Sequence, residues 1–231
     1  MTRRIFITGT GTDVGKTVVT RGIVRALLRR KVNFRVLKPV ESGVPEVNGT
    51  LHPHDGTALL RASRGRGPVE QVCRYMFRAA VSPHLAARME NATIDPGEVR
   101  QFIDSAAASC DLVIVEGAGG LLVPLNDDIL YGDFIAGGPY ELLIVTPDIL
   151  GTINNTLLTI EAARHRQIPV AGVILNHGSN LNESLKNAEA IAHFGNVPVL
   201  GTFPGMASID DDDALADAAE THLDLNAFYR G

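Results

Sequence analysis

The chain has 231 residues, 45% of them hydrophobic and 20% charged, with a formal net charge of −5. That length and apolar fraction supply a sizeable core and exclude a wholly disordered protein. The acidic balance argues against broad nucleic-acid binding, and no apolar run reaches the roughly 20 residues that span a bilayer.

Met1 to Thr8 has only a short apolar run before glycines and charges, so it does not read as a signal peptide. Ile5 to Thr8 reads as a buried strand. Lys16 to Arg30 reads as a helix with Val19, Ile23 and Leu27 on one face. Phe34 to Lys38 is a second strand, ended by Pro39. Gly43–Thr50 and Arg64–Pro68 read as surface loops, and helical stretches fall near 55–63, 83–90 and 95–109. Asp111 to Glu116 is the clearest strand. Glu141–Thr146, Pro169–Asn176 and Pro198–Gly201 follow, with helical stretches at 151–166 and 182–194. Asp210 to Asp213 reads as a solvated helix start, since carboxylates suit a helix N-terminus. These four aspartates carry most of the net charge and leave the rest of the chain near neutral.

Strands spaced by helices imply an α/β fold with a largely parallel sheet and helices on both faces. No repeat, low-complexity tract or linker divides the sequence, so 1–231 reads as a single domain. The two cysteines, Cys73 and Cys110, lack metal-ligand spacing and read as reduced, partly buried thiols of a cytoplasmic protein. Only four basic residues are lysines: Lys16, Lys31, Lys38 and Lys186.

The first strand runs into Gly9-Thr-Gly-Thr-Asp-Val-Gly15-Lys16-Thr17, and a helix follows. Strand, glycine-rich loop, Gly-Lys-Thr and helix together make a phosphate cradle. Backbone N–H groups and the helix N-terminus face the anion, the lysine reaches the β- and γ-phosphates, and the threonine hydroxyl ligates Mg²⁺. The spacing departs from the usual pattern, because Thr10 stands where the first glycine belongs and Gly9 lies one place earlier. The implied fold is P-loop NTPase-like.

Ligands of open α/β sheets bind beyond the carboxyl ends of the strands. Glu116 lies at such an end, where its strand enters a Gly117–Gly120 loop, placed to hold Mg²⁺ directly or through water. Lys38 ends the second strand, within Lys38-Pro-Val-Glu-Ser42-Gly43. Asp55 follows His52-Pro-His54; Pro53 breaks helical spacing of the histidines, so a second Mg²⁺ carboxylate is a better reading than a transition-metal site. Asn176 ends its strand and reads either as a base-reading amide or as a strand-end turn.

The phosphate loop, Lys38-Pro-Val-Glu-Ser-Gly43, Ser82-Pro-His84, Val115-Glu-Gly-Ala-Gly-Gly120 and Pro124-Leu125 occur in the order and spacing of dethiobiotin synthetases. The chain resembles that family from Ile5 to about Pro204, and the shifted loop is the family's own form. The resemblance implies an ATP-dependent cyclo-ligase of biotin biosynthesis, acting on 7,8-diaminononanoate and CO₂ with Mg²⁺. It places Gly11, Thr12, Asp13, Val14, Gly15, Lys16 and Thr17 on the nucleotide, with Gly117, Gly119, Asn176 and Pro204. It assigns Lys16 and Lys38 as catalytic, and Thr17, Asp55 and Glu116 to Mg²⁺. Thr12, Lys38, Ser42 and Gly119 would face the diamine. Gly151 and Asn154 would cap its carboxylate from the other subunit of a homodimer, with substrate at the interface. No nucleic-acid or membrane partner is implied. Asp13 stands where glutamate is common in the family, one methylene shorter, and the Gly-Met-Ala-Ser after Pro204 replaces bulkier residues.

Two other enzyme or switch readings share the phosphate loop. A cobyrinate-type ATP-dependent ligase needs a glutaminase domain or ammonia source that this length does not hold. A partitioning-type nucleotide-switch ATPase carries a second signature lysine where this chain has Gly11. A passive nucleotide-binding domain would have no need of Lys38 or Asp55.

Overall fold

A computed structural model describes residues 2–178, 186–206 and 208–229. Along the chain run β1 (Arg3–Gly9), α1 (Lys16–Arg29), β2 (Phe34–Leu37), β3 (Val40–Ser42), β4 (Glu46–Val47), β5 (Thr50–Leu51) and α2 (His54–Ala62). Then come β6 (Tyr75–Phe77), α3 (Pro83–Met89), α4 (Pro96–Ala107), β7 (Leu112–Gly120), α5 (Tyr131–Ile135), β8 (Tyr140–Pro147) and α6 (Thr152–His165). The last are β9 (Val170–Asn176), α7 (Asn187–Gly195), β10 (Val199–Phe203) and α8 (Asp212–His222).

Six strands form one sheet in the order β10-β9-β8-β1-β7-β2, and every pairing in it is parallel. The continuous Val/Ile/Leu runs have this cause: side chains alternate across the sheet and both faces are covered. On β1, Phe6 enters the core on one side, while Ile5 and Ile7 enter the core on the other. The first core is closed by α3 to α7, and the second by α1, α2 and α8. Two small sheets sit apart, a parallel β3-β6 pair and an antiparallel β4-β5 hairpin.

Four expectations need correction. β7 runs past Glu116 to Gly120, because Gly9 of β1 pairs with Gly120; the Gly117–Gly120 stretch is strand rather than loop. The 43–50 stretch is not a plain loop but carries β4 and the start of β5. The helix expected at 182–194 covers Asn187–Gly195, and its first four expected residues lie outside the described ones. The acidic run does open a helix, with Asp211 capping the amides of Asp213 and Ala214. It is not solvated throughout, because the Asp212 side chain is 12% exposed and pairs with Arg21 and Arg61. Its partners are arginines of α1 and α2, at the other end of the chain, which no local pattern reveals. Cys73 and Cys110 are both free and buried.

Candidate active site

The phosphate loop joins β1 to α1, and its geometry follows from two neighbours, Asn176 and Thr146. Gly15 takes a φ of 87° before the first helical residue. A Cβ there would lie 2.0 Å from Nδ2 of Asn176, so a side chain is excluded both by backbone strain and by that amide. The same amide donates to the Val14 carbonyl at 3.0 Å, and the Asn176 Oδ1 accepts from Gly178 N–H. Asn176 thereby ties the end of β9 to the loop, which engages much of the amide that a base contact would use. On the other side, the Thr10 hydroxyl meets that of Thr146 at 2.9 Å. Thr146 in turn meets Thr152 at 2.6 Å and receives a hydrogen bond from Thr156 at 3.0 Å. A buried hydroxyl chain thus links the loop to the start of α6.

A cavity of about 360 Å³ opens in front of the loop. It collects Thr12, Asp13, Gly15, Lys16, Thr17, Lys38, Ser42, Asp55 and Gly119 from six different elements and turns. Gly11 lines a second cavity of about 380 Å³ behind the loop, together with Thr12, Leu122 and Leu158. Val14 is buried in the core, and Gly117 lies against Phe6, where a Cβ would come within 2.8 Å of the ring. Gly151, Asn154, Asn176 and Pro204 do not line the front cavity.

Charge is concentrated under that cavity. The Lys38 ammonium sits 2.8 Å from Asp55 Oδ2 and donates to Glu116 Oε1 at 2.8 Å. Thr17 donates to the same Glu116 oxygen at 2.7 Å. Burial lowers the proton affinity of Lys38, but Glu116 and then Asp55 more than offset it, so it stays above the ordinary lysine value. Burial likewise opposes ionisation of Asp55; Lys38 and Thr17 outweigh it and hold its carboxyl below the ordinary value. Lys16 is different. Burial, then repulsion from Lys38, bring it below the ordinary lysine value. Among the described residues its ammonium donates to one acceptor, the Gly11 carbonyl, at 3.3 Å. An ammonium has three donors, so this one is under-partnered.

Glu116 is fully buried, and its second oxygen, Oε2, has no hydrogen-bond partner among the described residues. A buried orphan carboxylate oxygen costs free energy unless a cation or donor meets it. With the Thr17 hydroxyl and the Asp55 carboxylate beside it, the donor set is hard oxygen, which suits Mg²⁺ rather than a softer metal. Among the described residues no three His, Cys, Asp or Glu side chains gather as a metal site, so His52 and His54 do not form one with Asp55.

Three buried groups in or near the cavity were not assigned to it from the sequence. Glu41 is 6% exposed and lines the cavity, and burial raises its carboxyl above the ordinary value. Its signal was present, as a glutamate beside Ser42 within the Lys38–Gly43 motif. Tyr131 is buried beneath the site and reaches the backbone of Ala118; burial raises its hydroxyl well above the ordinary value. Cys73 lies under α2, where burial makes its thiol a weaker acid. Nothing local in the sequence marks the last two.

A family model described as an AAA domain matches residues 3–213. An ATP-dependent dethiobiotin synthetase from Halalkalibacterium halodurans is 38% identical over 218 residues, covering 93% of this chain and 89% of that one. The chain belongs to the dethiobiotin synthetase family. A second such synthetase, from Bacillus subtilis subsp. natto, is 33% identical over 227 residues, covering 97% of this chain and 96% of that one. A solved ParA family ATPase from Chlorobium tepidum TLS aligns with 98% of this chain and 92% of its own, at 18% identity and a TM-score of 0.55. That likeness is one of fold, the P-loop NTPase sheet. The synthetase relatives favour neither the switch-ATPase nor the cobyrinate-type reading. Among the described residues no helix is long and apolar enough to cross a membrane.

Proposed function

We propose that this chain closes the ureido ring of dethiobiotin from 7,8-diaminononanoate, CO₂ and ATP, as an ATP-dependent carbon–nitrogen ligase working as one domain in the cytoplasm. The observation that carries the reading is Lys38, an ammonium held between Asp55 and Glu116 in the same cavity as Lys16 and Ser42. A plain nucleotide binder has no use for a second buried cation there.

One amine of the substrate adds to CO₂ and loses a proton, giving a carbamate. A carbamate oxygen attacks the γ-phosphorus and ADP leaves, giving a carbamic–phosphoric anhydride. The second amine attacks the carbonyl and loses a proton, phosphate leaves and the ring closes. Phosphoryl transfer of this kind depends on positioning and on charge stabilisation. Lys16 holds the transferring group, and having a single acceptor among the described residues leaves its ammonium free for that task. Lys38 neutralises the carbamate and phosphoryl oxygens as they approach. Thr12, Ser42 and Gly119 hold the diamine. The phosphate loop from Gly11 to Thr17 cradles the triphosphate, with Gly117 beside it and Asn176 and Pro204 toward the base. Thr17, Asp55 and Glu116 would hold Mg²⁺, which when bound supplies positive charge to the phosphates.

We also read the chain as a homodimer. Supporting this, Ile149 and Leu150 next to Gly151 are 51% and 96% exposed, and Leu122 and Leu158 beside the rear cavity are 51% and 56% exposed. The start of α6, with Gly151 and Asn154, would then meet the diamine's carboxylate in the partner's site. A helix N-terminus suits that anion.

The test is incubation with radiolabelled bicarbonate, 7,8-diaminononanoate, ATP and Mg²⁺. Label should appear in an acid-stable cyclic urea. ATP hydrolysis without label would overturn the reading. Sedimentation of fully active protein as a monomer would overturn the dimer.

A further inference from the structure

Glu41 sits on β3 between Val40 and Ser42, and both of its carboxylate oxygens are engaged. Oε1 accepts the Asp55 N–H at 2.9 Å, and Oε2 accepts the Gly56 N–H at 2.8 Å. These are the first-turn amides of α2. A helix leaves its first amides without internal acceptors, and a side chain just before the helix usually supplies one. Here that position is Pro53, which makes no side-chain cap. A proline side chain has no acceptor to offer, so the acceptor comes from a different element. Its negative charge also suits the helix N-terminus. The fit is close: a Cβ on Gly56 would lie 3.5 Å from Glu41 Oε2 and 3.1 Å from the Cys73 Cβ. Asp55 is therefore held at both ends, its backbone by Glu41 and its carboxylate by Lys38.

We propose that Glu41 is a positioning residue that anchors the first turn of α2 so that the Asp55 carboxylate meets Lys38 at the floor of the cavity. The kinetic part of its test rests on the ring-closing reading above, whereas the exchange part does not. Glu41→Ala removes both acceptors. Glu41→Gln keeps one oxygen and turns a donor toward the other amide. In the ligand-free protein, amide hydrogen exchange read by NMR should show Asp55 and Gly56 protected. Exchange at both should rise at least ~10-fold in Glu41→Ala and less in Glu41→Gln, with α4 amides unchanged. In ring closure, Glu41→Ala should lower kcat ~10- to 100-fold with the KM for the diamine nearly unchanged, and Glu41→Gln should recover part of the loss. In an Asp55→Asn background, removing Glu41 should change kcat by no more than ~2-fold, because the effect passes through Asp55. Full additivity, unchanged exchange, or a lowered melting temperature with normal kcat would each overturn the proposal. Should the wild-type chain make no cyclic urea, the functional reading falls, and the exchange data still decide whether Glu41 holds Asp55.

Discussion

Helix α1 begins in one network of cations and carboxylates and lies along another. At its first turn, Lys16 and Thr17 belong to the buried set with Lys38, Asp55 and Glu116. Farther along, Arg21, Arg25 and Arg29 recur at four-residue spacing, one face of a helix. They meet Asp212, Asp213, Asp217 and Glu220 of α8. The outer network is redundant in its ion pairs, although one buried nitrogen, Arg21 Nη2, makes no hydrogen bond among the described residues. Arg29 has three carboxylate partners, and Asp212 is shared by Arg21 and Arg61. The inner network is in deficit, with one Glu116 oxygen unpartnered and one acceptor for the Lys16 ammonium among the described residues. Redundant pairs hold α8 against α1. Groups short of partners are ready to receive charge from elsewhere, and that difference marks which network does chemistry.

The largest effect expected from breaking this contrast is at Lys16. Lys16→Gln should cut ring-closing turnover by ~10³-fold, and more than about a tenth of normal activity would remove Lys16 from the transfer step. Lys38→Met should lower kcat by ~10²-fold with ATP affinity, read by calorimetry, little changed. Collapse of ATP binding with chemistry intact would make Lys38 a nucleotide ligand instead. In the outer network, Arg21→Ala should cost about 2 kcal/mol in denaturant unfolding. That is less than the roughly 3–5 kcal/mol for stranding a buried charge, since Arg61 still reaches Asp212. The Arg21 Nε donates to Asp212 at 2.8 Å; Nη2 is 2.7 Å from the same oxygen but lies off the hydrogen-bonding angle. Arg29→Ala should cost no more than about 1 kcal/mol, and less as salt rises. The smallest effect concerns pH. Arg25, and then Arg29, hold the Asp213 carboxyl at about 2, below the ordinary 3.8. Its contribution to stability is therefore present above pH 3.8 and fades as pH falls toward 2, which melts of wild type and Asp213→Asn across that range will show.

Much of the inner network was legible because its residues sit in short motifs at strand ends. Gly15-Lys16-Thr17, Lys38 and Glu116 each follow a Val/Ile/Leu run that can only be a buried strand. Asp55 needed the family's spacing as well, and Glu41 was passed over because a cap normally lies next to its own helix. The outer network was invisible. Arg21 and Asp212 lie 191 residues apart and meet only through tertiary packing. The same holds for β3 and β6, three residues each, too short for periodicity to reveal their pairing. The Gly117–Gly120 stretch read as a loop because glycines punctuate strands, but its pairing with Gly9 overrides that preference.

The Thr146 hydroxyl has one proton to give and two lone pairs, and it has three hydroxyl neighbours. Its valence is full. Thr156 donates to it, so of Thr10 and Thr152 one must give and the other receive. A water could hydrogen-bond to the Thr146 hydroxyl only by displacing one of these threonines. The phosphate loop is thus wired to α6 through a saturated node with two proton orders and no slack, and a Thr146→Val exchange of nearly equal shape would open all three wires at once.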